Sequence, residues 1–266
     1  MTGTLENLFR RPGSFVFRQY TLIRELSSIC LKTLQGFRSL FVPAGRQIFL
    51  RQIYFTAVQP IPLIVAGSFI LGVFIVDYII DFFTSIGARE EIGKFILLVI
   101  VNELSSAFIA IIVMIRSGSA IITEIALMKL NNELNTLKGL GIDVYEYLFF
   151  PRFFAIIISS VILSMLFCFV ALLGGFISFG YINNVPFYDY VISMAESAIL
   201  MDFITVYLKS MTFGFIIVLV SIRDGLAVEH SISEVPIRLI HGLIVQVMLI
   251  IFFDLFYGMI RYGDFI

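Results

Sequence analysis

Four ionisable side chains, Glu103, Asp202, Lys209 and Asp254, fall in or at the ends of stretches otherwise apolar enough to cross a bilayer. A charge at the centre of a membrane span costs about 2.5–3.5 kcal/mol on insertion scales, so it faces protein or water and marks a functional position by default. Glu103 lies within Phe95 to Ile115 (FILLVIVNELSSAFIAIIVMI), directly after Asn102, and Asp254 is comparably deep. Asp202 and Lys209 fall nearer span ends, where a long side chain can snorkel to water. The chemistry these types support is ion pairing in a low dielectric. Glu103 is expected to pair with a basic group such as Lys209 and hold a resting state, with a purely structural pair as the alternative. No nucleophile and base stand at credible spacing, so an intramembrane enzyme is disfavoured and no catalytic residue is assigned.

The elements that carry these groups follow from composition. The 266 residues are 59% hydrophobic and 14% charged, and the mean hydropathy is +1.01, which places the chain outside soluble globular domains. Hydrocarbon about 30 Å thick needs about 20 apolar residues per helix. Five runs qualify: Val58 to Ile80, Phe95 to Ile115, Phe153 to Phe179, Phe203 to Ile222 and Leu239 to Ile260. The alternating ten-residue segments of a barrel are absent, so the expected fold is all-α and polytopic.

Lys and Arg set the orientation. Eight basic residues precede the first span against two acidic ones, and the segments from Arg116 to Arg152 and from Arg223 to Arg238 hold most of the remaining positive charge. The N-terminus is therefore expected in the cytoplasm and the C-terminus outside, with Arg261 a small exception. Arg10-Arg11 lacks the apolar run and cleavage site of a twin-arginine signal, so the first span is the insertion signal. Cys30 and Cys168 suggest no disulfide or metal framework. A net charge of −1 without a compact basic domain gives no reason to expect nucleic acid as a partner.

Residues 1–52 read as an N-terminal cytoplasmic and interfacial segment. Phe15, Phe17, Leu22, Ile23, Leu26 and Ile29 alternate with Arg and Lys there, either as a basic flank or as an elbow helix beside the spans. Residues 53–266 form the membrane domain. Pro60, Pro62, Gly67 and Gly72 interrupt span one, which fits a pathway lining and fits close helix packing equally. Between spans two and three, Leu127, Leu130, Leu134 and Leu137 recur at helical spacing, predicting a cytoplasmic amphipathic helix over about 119–138 that docks a soluble partner or lies on the membrane.

The runs Asn102-Glu103-Leu104, Arg116-Ser117-Gly118-Ser119-Ala120, Thr123-Glu124-Ile125-Ala126-Leu127-Met128-Lys129 and Pro151-Arg152-Phe153 resemble the signature of the MlaE/YrbE permease family over roughly residues 46 to 260. Asp202, Lys209-Ser210, Phe213-Gly214, Gly225 and Asp254 fall where that family carries comparable residues. The resemblance implies a permease subunit of an MCE-type lipid ABC transporter in the bacterial inner membrane. It would pair with a second copy of itself, two cytoplasmic ATPases that bind ATP and Mg, and a hexameric periplasmic MCE-domain protein. The substrate would be phospholipid or a similar amphiphile.

It further implies that Thr123, Glu124, Leu127, Met128, Lys129, Asn132 and Glu133 couple to the ATPase, and that a lipid cavity near spans one, two and five involves Pro62, Gly67, Phe69 and Gly72. Two departures stand out. The family pattern often has Arg before the Glu, where this chain has Asn102, and the usual Gly-rich stretch before span five is replaced by Ser231 to Pro236.

The chain has no G-x-x-x-x-G-K-[ST] loop, so hydrolysis is expected in another chain and no cofactor in this one. His230 and His241 have no zinc-ligand spacing, so no metal site is expected. An ion-coupled secondary transporter using the intramembrane carboxylates and a non-transporting membrane scaffold are the alternative readings.

Overall fold

The computed structural model describes residues 24–33, 43–88, 91–183, 187–198 and 200–262. All regular structure among them is helical. Five helical runs are long and apolar enough to cross a membrane: Gly45–Ser85, Ile92–Leu130, Tyr145–Ile177, Leu200–Leu226 and Glu234–Arg261. Each overlaps one of the apolar runs read from the sequence.

Helix α1 covers 24–33, and α2, Pro43–Ile53, leads through a π-helical turn, Tyr54–Val58, into α3, Ile61–Ser85, to make span one. Pro43 opens α2 and Pro62 sits in the first turn of α3, where the missing N–H removes no helical bond. Span two is composite. It runs through α4 (Ile92–Ile96), a π-helical stretch (Leu97–Leu104), α5 (Ser105–Val113), a second π turn (Met114–Gly118) and α6 (Ser119–Leu130). Its 39 residues extend about 58 Å at 1.5 Å per residue, well beyond the thickness of the hydrocarbon, so part of it projects from the bilayer.

A short α7, Glu133–Gly139, follows. Span three is a π turn, Tyr145–Phe149, continued by α8, Phe150–Asn183. Helix α9 is Phe187–Ser197, span four is α10, Leu200–Leu226, and span five is α11, Glu234–Tyr262.

Helix α10 is central, touching α5, α6, α8 and α11, whereas α3 packs along α8 on the opposite flank from α11. The core is built from Phe149, Phe150, Phe167 and Phe213 with Ile64, Ile100, Ile109 and Ile121. The Phe108 and Phe167 rings meet at 5.1 Å between centroids. Lipid chains solvate apolar surface as well as leucine does, so close backbone approach has to hold these helices together. Gly72 lies directly against the Ala171 backbone, and a Cβ on Gly174 would sit 2.6 Å from the Phe69 carbonyl oxygen.

Two features differ from the sequence reading. The stretch 119–138, expected as one amphipathic helix, is wound as two, because Asn132 takes a left-handed backbone with φ 59° that asparagine tolerates and most residues do not. Its first half, α6, is not a surface helix: Ile121, Ile122, Ile125 and Ala126 are buried against α10 and α11. Of the N-terminal segment, residues 1–23 and 34–42 lie outside the described residues. The described α1 packs on the bundle, with Ile29 buried, Glu25 Oε2 3.0 Å from Arg223 Nε and Lys32 Nζ 5.4 Å above the Tyr145 ring.

Gly72→Val places two methyl groups into the α8 backbone. It should cost about 1–3 kcal/mol or more, measured as a shift in the midpoint of detergent-induced unfolding; an unchanged midpoint would show that α3 and α8 do not pack there.

Candidate functional site

The π-helical stretch Leu97–Leu104 positions Asn102 and Glu103. Wider winding re-aims side chains that an α-helix would hold 100° apart, and such bulges recur at functional sites. Ser105 Oγ donates to the Val101 carbonyl at 2.5 Å, a back-bond of the kind that bends helices. Both neighbours thereby reach α10. Asn102 Nδ2 donates to Asp202 Oδ1 at 2.8 Å, and Glu103 Oε2 lies 2.7 Å from Lys209 Nζ.

On α10 the polar residues Asp202, Thr205, Lys209 and Thr212 are spaced three, four and three apart, so they share one face. On α11, Asp254, Tyr257 and Arg261 do the same. The antiparallel faces meet residue by residue. Arg261 pairs with Asp202 and donates to Thr205 Oγ1 at 3.0 Å. Lys209 Nζ lies 2.8 Å from Asp254 Oδ1 and donates to the Asn102 carbonyl at 3.2 Å. Thr212 Oγ1 and Tyr257 OH share a 2.9 Å hydrogen bond. Toward the other end, Gln246 Nε2 donates to Ser221 Oγ at 2.9 Å.

Lys209 is therefore no snorkelling residue. Its side chain is 1% exposed, nine residues into span four, about 13 Å below that end of the helix at 1.5 Å per residue. It is the hub of a triad in which each carboxylate keeps roughly a third of its side chain exposed. The Lys209 ammonium is thus buried within the helix bundle with two carboxylates against it.

The sequence reading paired Glu103 with Lys209 and placed Asp254 deep, but did not join the three. It did not single out Thr205 or Thr212, and it named Arg261 only as an exception to the charge rule. The signal was available, since a three–four spacing of polar residues within two consecutive apolar spans is a helix-face pattern. Arg261, the exception to the charge rule, is the counterion of Asp202.

Three of the residues expected at the ATPase contact are engaged in hydrogen bonds or ion pairs within the chain. Glu124 Oε1 pairs with Arg152 at 2.6 Å, Lys129 Nζ donates to the Leu226 carbonyl at 2.6 Å, and Thr123 Oγ1 back-bonds to Ser119 at 2.9 Å. These three tie α6 to itself, to the start of α8 and to the end of α10. Met128 packs partly buried on the core. Leu127, Asn132 and Glu133 are exposed. Beyond them Leu140 is 71% exposed, a position that leucine periodicity did not single out because it follows the glycine stop.

The expected lipid cavity in span one divides likewise. Gly67 packs toward Phe108 and Gly72 toward Ala171, so both glycines serve helix contact, whereas Pro62 and Phe69 lie on the exposed face.

His241 Nδ1 lies 3.4 Å from Asp224, and Arg223 NH1 lies 3.5 Å from the same carboxylate. No cluster of three or more His, Cys, Asp or Glu able to hold a metal occurs among the described residues.

Five candidate spans, of which the second, fourth and fifth are joined by an ionic seam, define a polytopic helical membrane protein. The chain belongs to the MlaE permease family, whose model, described as Permease MlaE, matches residues 49–260. It is 28% identical over 183 residues to a "Probable ABC transporter permease protein" of Rickettsia typhi, covering 69% of this chain and 71% of that one. It is 32% identical over 169 residues to a protein of the same printed description from Synechocystis, covering 62% of each chain. It is 29% identical over 132 residues to the "Intermembrane phospholipid transport system permease protein MlaE" of Haemophilus influenzae, covering 48% of this chain and 49% of that one.

Lys209→Met should be the most damaging single change in the seam. It leaves two carboxylates in the bundle without their counterion, and breaking a buried pair in this way costs about 3–5 kcal/mol. Detergent-induced unfolding measures it; a loss below about 1 kcal/mol would mean that water already solvates the triad.

Proposed function

We propose that this chain is the permease subunit of an ATP-driven transporter that moves phospholipid or a similar amphiphile between the inner membrane and a periplasmic MCE-domain protein. The observation that carries the reading is the family match over residues 49–260. The printed function of the Haemophilus influenzae relative adds the substrate class. In this reading two copies enclose the lipid, the N-terminus is cytoplasmic and the C-terminus periplasmic. Nucleotide and Mg belong to a cytoplasmic ATPase partner, consistent with the absence of a Walker A loop here. The exposed apolar faces of α3 and α11, including Phe74, Met248, Leu255 and Met259, supply surface for lipid and for the second copy.

The geometry supports a specific route for the ATPase stroke. The partner docks on the projecting tip formed by Leu127, Asn132, Glu133 and α7 through Ile142, all of it beyond or beside the end of α6. Helix α6 is clamped to α8 through Glu124–Arg152 and to α10 through Lys129. It also continues without interruption into span two. Force on the tip therefore reaches the π-helical stretch that carries Glu103, and through Lys209 it reaches spans four and five. A nucleotide can shift this equilibrium only by as much as it binds the two states differently.

Leu140→Glu combined with Glu133→Lys should reduce the ATPase copurified with the chain by about tenfold, a loss near 1.4 kcal/mol, while membrane insertion stays intact. Undiminished copurification would overturn the docking site. Lipid transfer by the reconstituted complex tests the function itself: absence of ATP-dependent transfer of fluorescent phospholipid, with the ATPase bound and active, would overturn the transport reading.

A further inference from the structure

The connection from α7 to span three is tightly wound. Gly141 takes a left-handed backbone, φ 77°. Its N–H donates to the Lys138 carbonyl at 3.0 Å, and the Ile142 N–H returns to the Leu137 carbonyl at 3.0 Å. Those two bonds are the terminal motif in which a glycine ends a helix and turns the chain back. Asp143 Oδ1 then accepts the Tyr145 N–H at 2.8 Å, at the start of the π turn that opens span three. Against this turn lies a cavity of about 520 Å³, lined by Lys32 of α1, Lys138 of α7 and the connection from Gly141 to Glu146.

Two ammonium and two carboxylate side chains, Lys32, Lys138, Asp143 and Glu146, therefore line one cavity. Among the described residues none of the four forms an ion pair with another, and Lys32 Nζ instead stands 5.4 Å above the Tyr145 ring. Opposite charges that share a cavity without touching are left to whatever enters it. An anion alone would face two carboxylates, and a cation alone would face two ammonium groups. A ligand that carries both signs a few bonds apart complements all four. Lysine meets phosphate as a point charge, and a carboxylate meets an ammonium through charge-assisted hydrogen bonds. The cavity adjoins Tyr145, where the third candidate span begins, and Leu31 and Leu140, next to its lining in the chain, are exposed. Charged groups, a tyrosine and exposed aliphatic side chains occur together at headgroup level.

We propose that this cavity binds a zwitterion made of a phosphate and an ammonium group, the chemistry of an aminophospholipid headgroup, with the phosphate on Lys32 and Lys138 and the ammonium on Glu146 and Asp143. Bound there, it ties α1 to α7 and to the start of span three. The site is built on other elements than the seam and than the apolar faces of α3 and α11, and it requires no transport partner.

Native mass spectrometry of the full chain, delipidated in dodecyl maltoside, tests this. The probes are a short-chain phosphatidylethanolamine, a phosphatidylglycerol of the same chain length, and glycerophosphoethanolamine, which has the first headgroup without acyl chains. The wild-type chain is expected to bind phosphatidylethanolamine more tightly than phosphatidylglycerol. Lys32→Ala combined with Lys138→Ala should weaken that binding by about tenfold, the worth of a charge-assisted hydrogen bond. Glu146→Lys should reverse the ranking of the two lipids, and Lys94→Ala, outside the cavity, should leave both unchanged. Binding of glycerophosphoethanolamine as tight as that of the lipid assigns the site to a free zwitterion, and binding of the lipid alone assigns it to the membrane; both support the headgroup chemistry. Undiminished binding by the double lysine variant, or the same ranking of lipids in the wild type and Glu146→Lys, overturns it. If the double variant is not recovered folded, Glu146→Gln decides: a reduced preference for phosphatidylethanolamine supports the site and an unchanged one overturns it.

Discussion

Lys209 is the interaction on which the rest depends. Packing in a bilayer lacks the drive that water gives to a soluble core, because an apolar side chain leaving lipid for a neighbouring helix gains little. Polar contacts and close backbone approach must supply the difference. Span five is the least buried of the five, yet it is held at Asp254, Tyr257, Arg261 and Gln246 along one stripe. Remove the ammonium at the centre of that stripe and span two loses its hold on span four at the point where span four holds span five.

How much of this could be read from residues alone differs between elements for physical reasons. The five spans were legible because hydrocarbon thickness sets a minimum length that no soluble helix of this composition shares. Glu103 and Asp254 were legible because a carboxylate in lipid is costly wherever it points. Their common partner was not, since pairing across helices depends on rotation about each axis, and the π winding at Leu97–Leu104 alters that rotation without a sequence mark. Arg261 was set aside because charge counting treats every basic residue as a topological signal. It does not ask whether an aspartate stands opposite.

The extension of span two through α6 and α7 shows the reverse case. Leucine spacing runs smoothly through Leu127, Leu130, Leu134 and Leu137, yet the backbone breaks at Asn132. Periodicity is blind to a single left-handed residue. The isoleucines, from which nothing was read, carry the packing: Ile121, Ile122 and Ile125 are buried beside α10 and α11, which makes α6 an extension of the membrane bundle. The glycines of span one were ambiguous for a related reason, because a residue without a side chain suits a tight helix contact and an open passage equally. The packing of Gly72 on Ala171 assigns it to the contact.

The order of charges along spans four and five also limits how they can travel. Asp202 faces Arg261 and Lys209 faces Asp254, so the pattern reads minus then plus on one helix against plus then minus on the other. A slip of two turns one way would set Lys209 beside Arg261, and the same slip the other way would set Asp202 beside Asp254. Like charges would meet in hydrocarbon in either direction. A slide of two turns in either direction is thus opposed by charge.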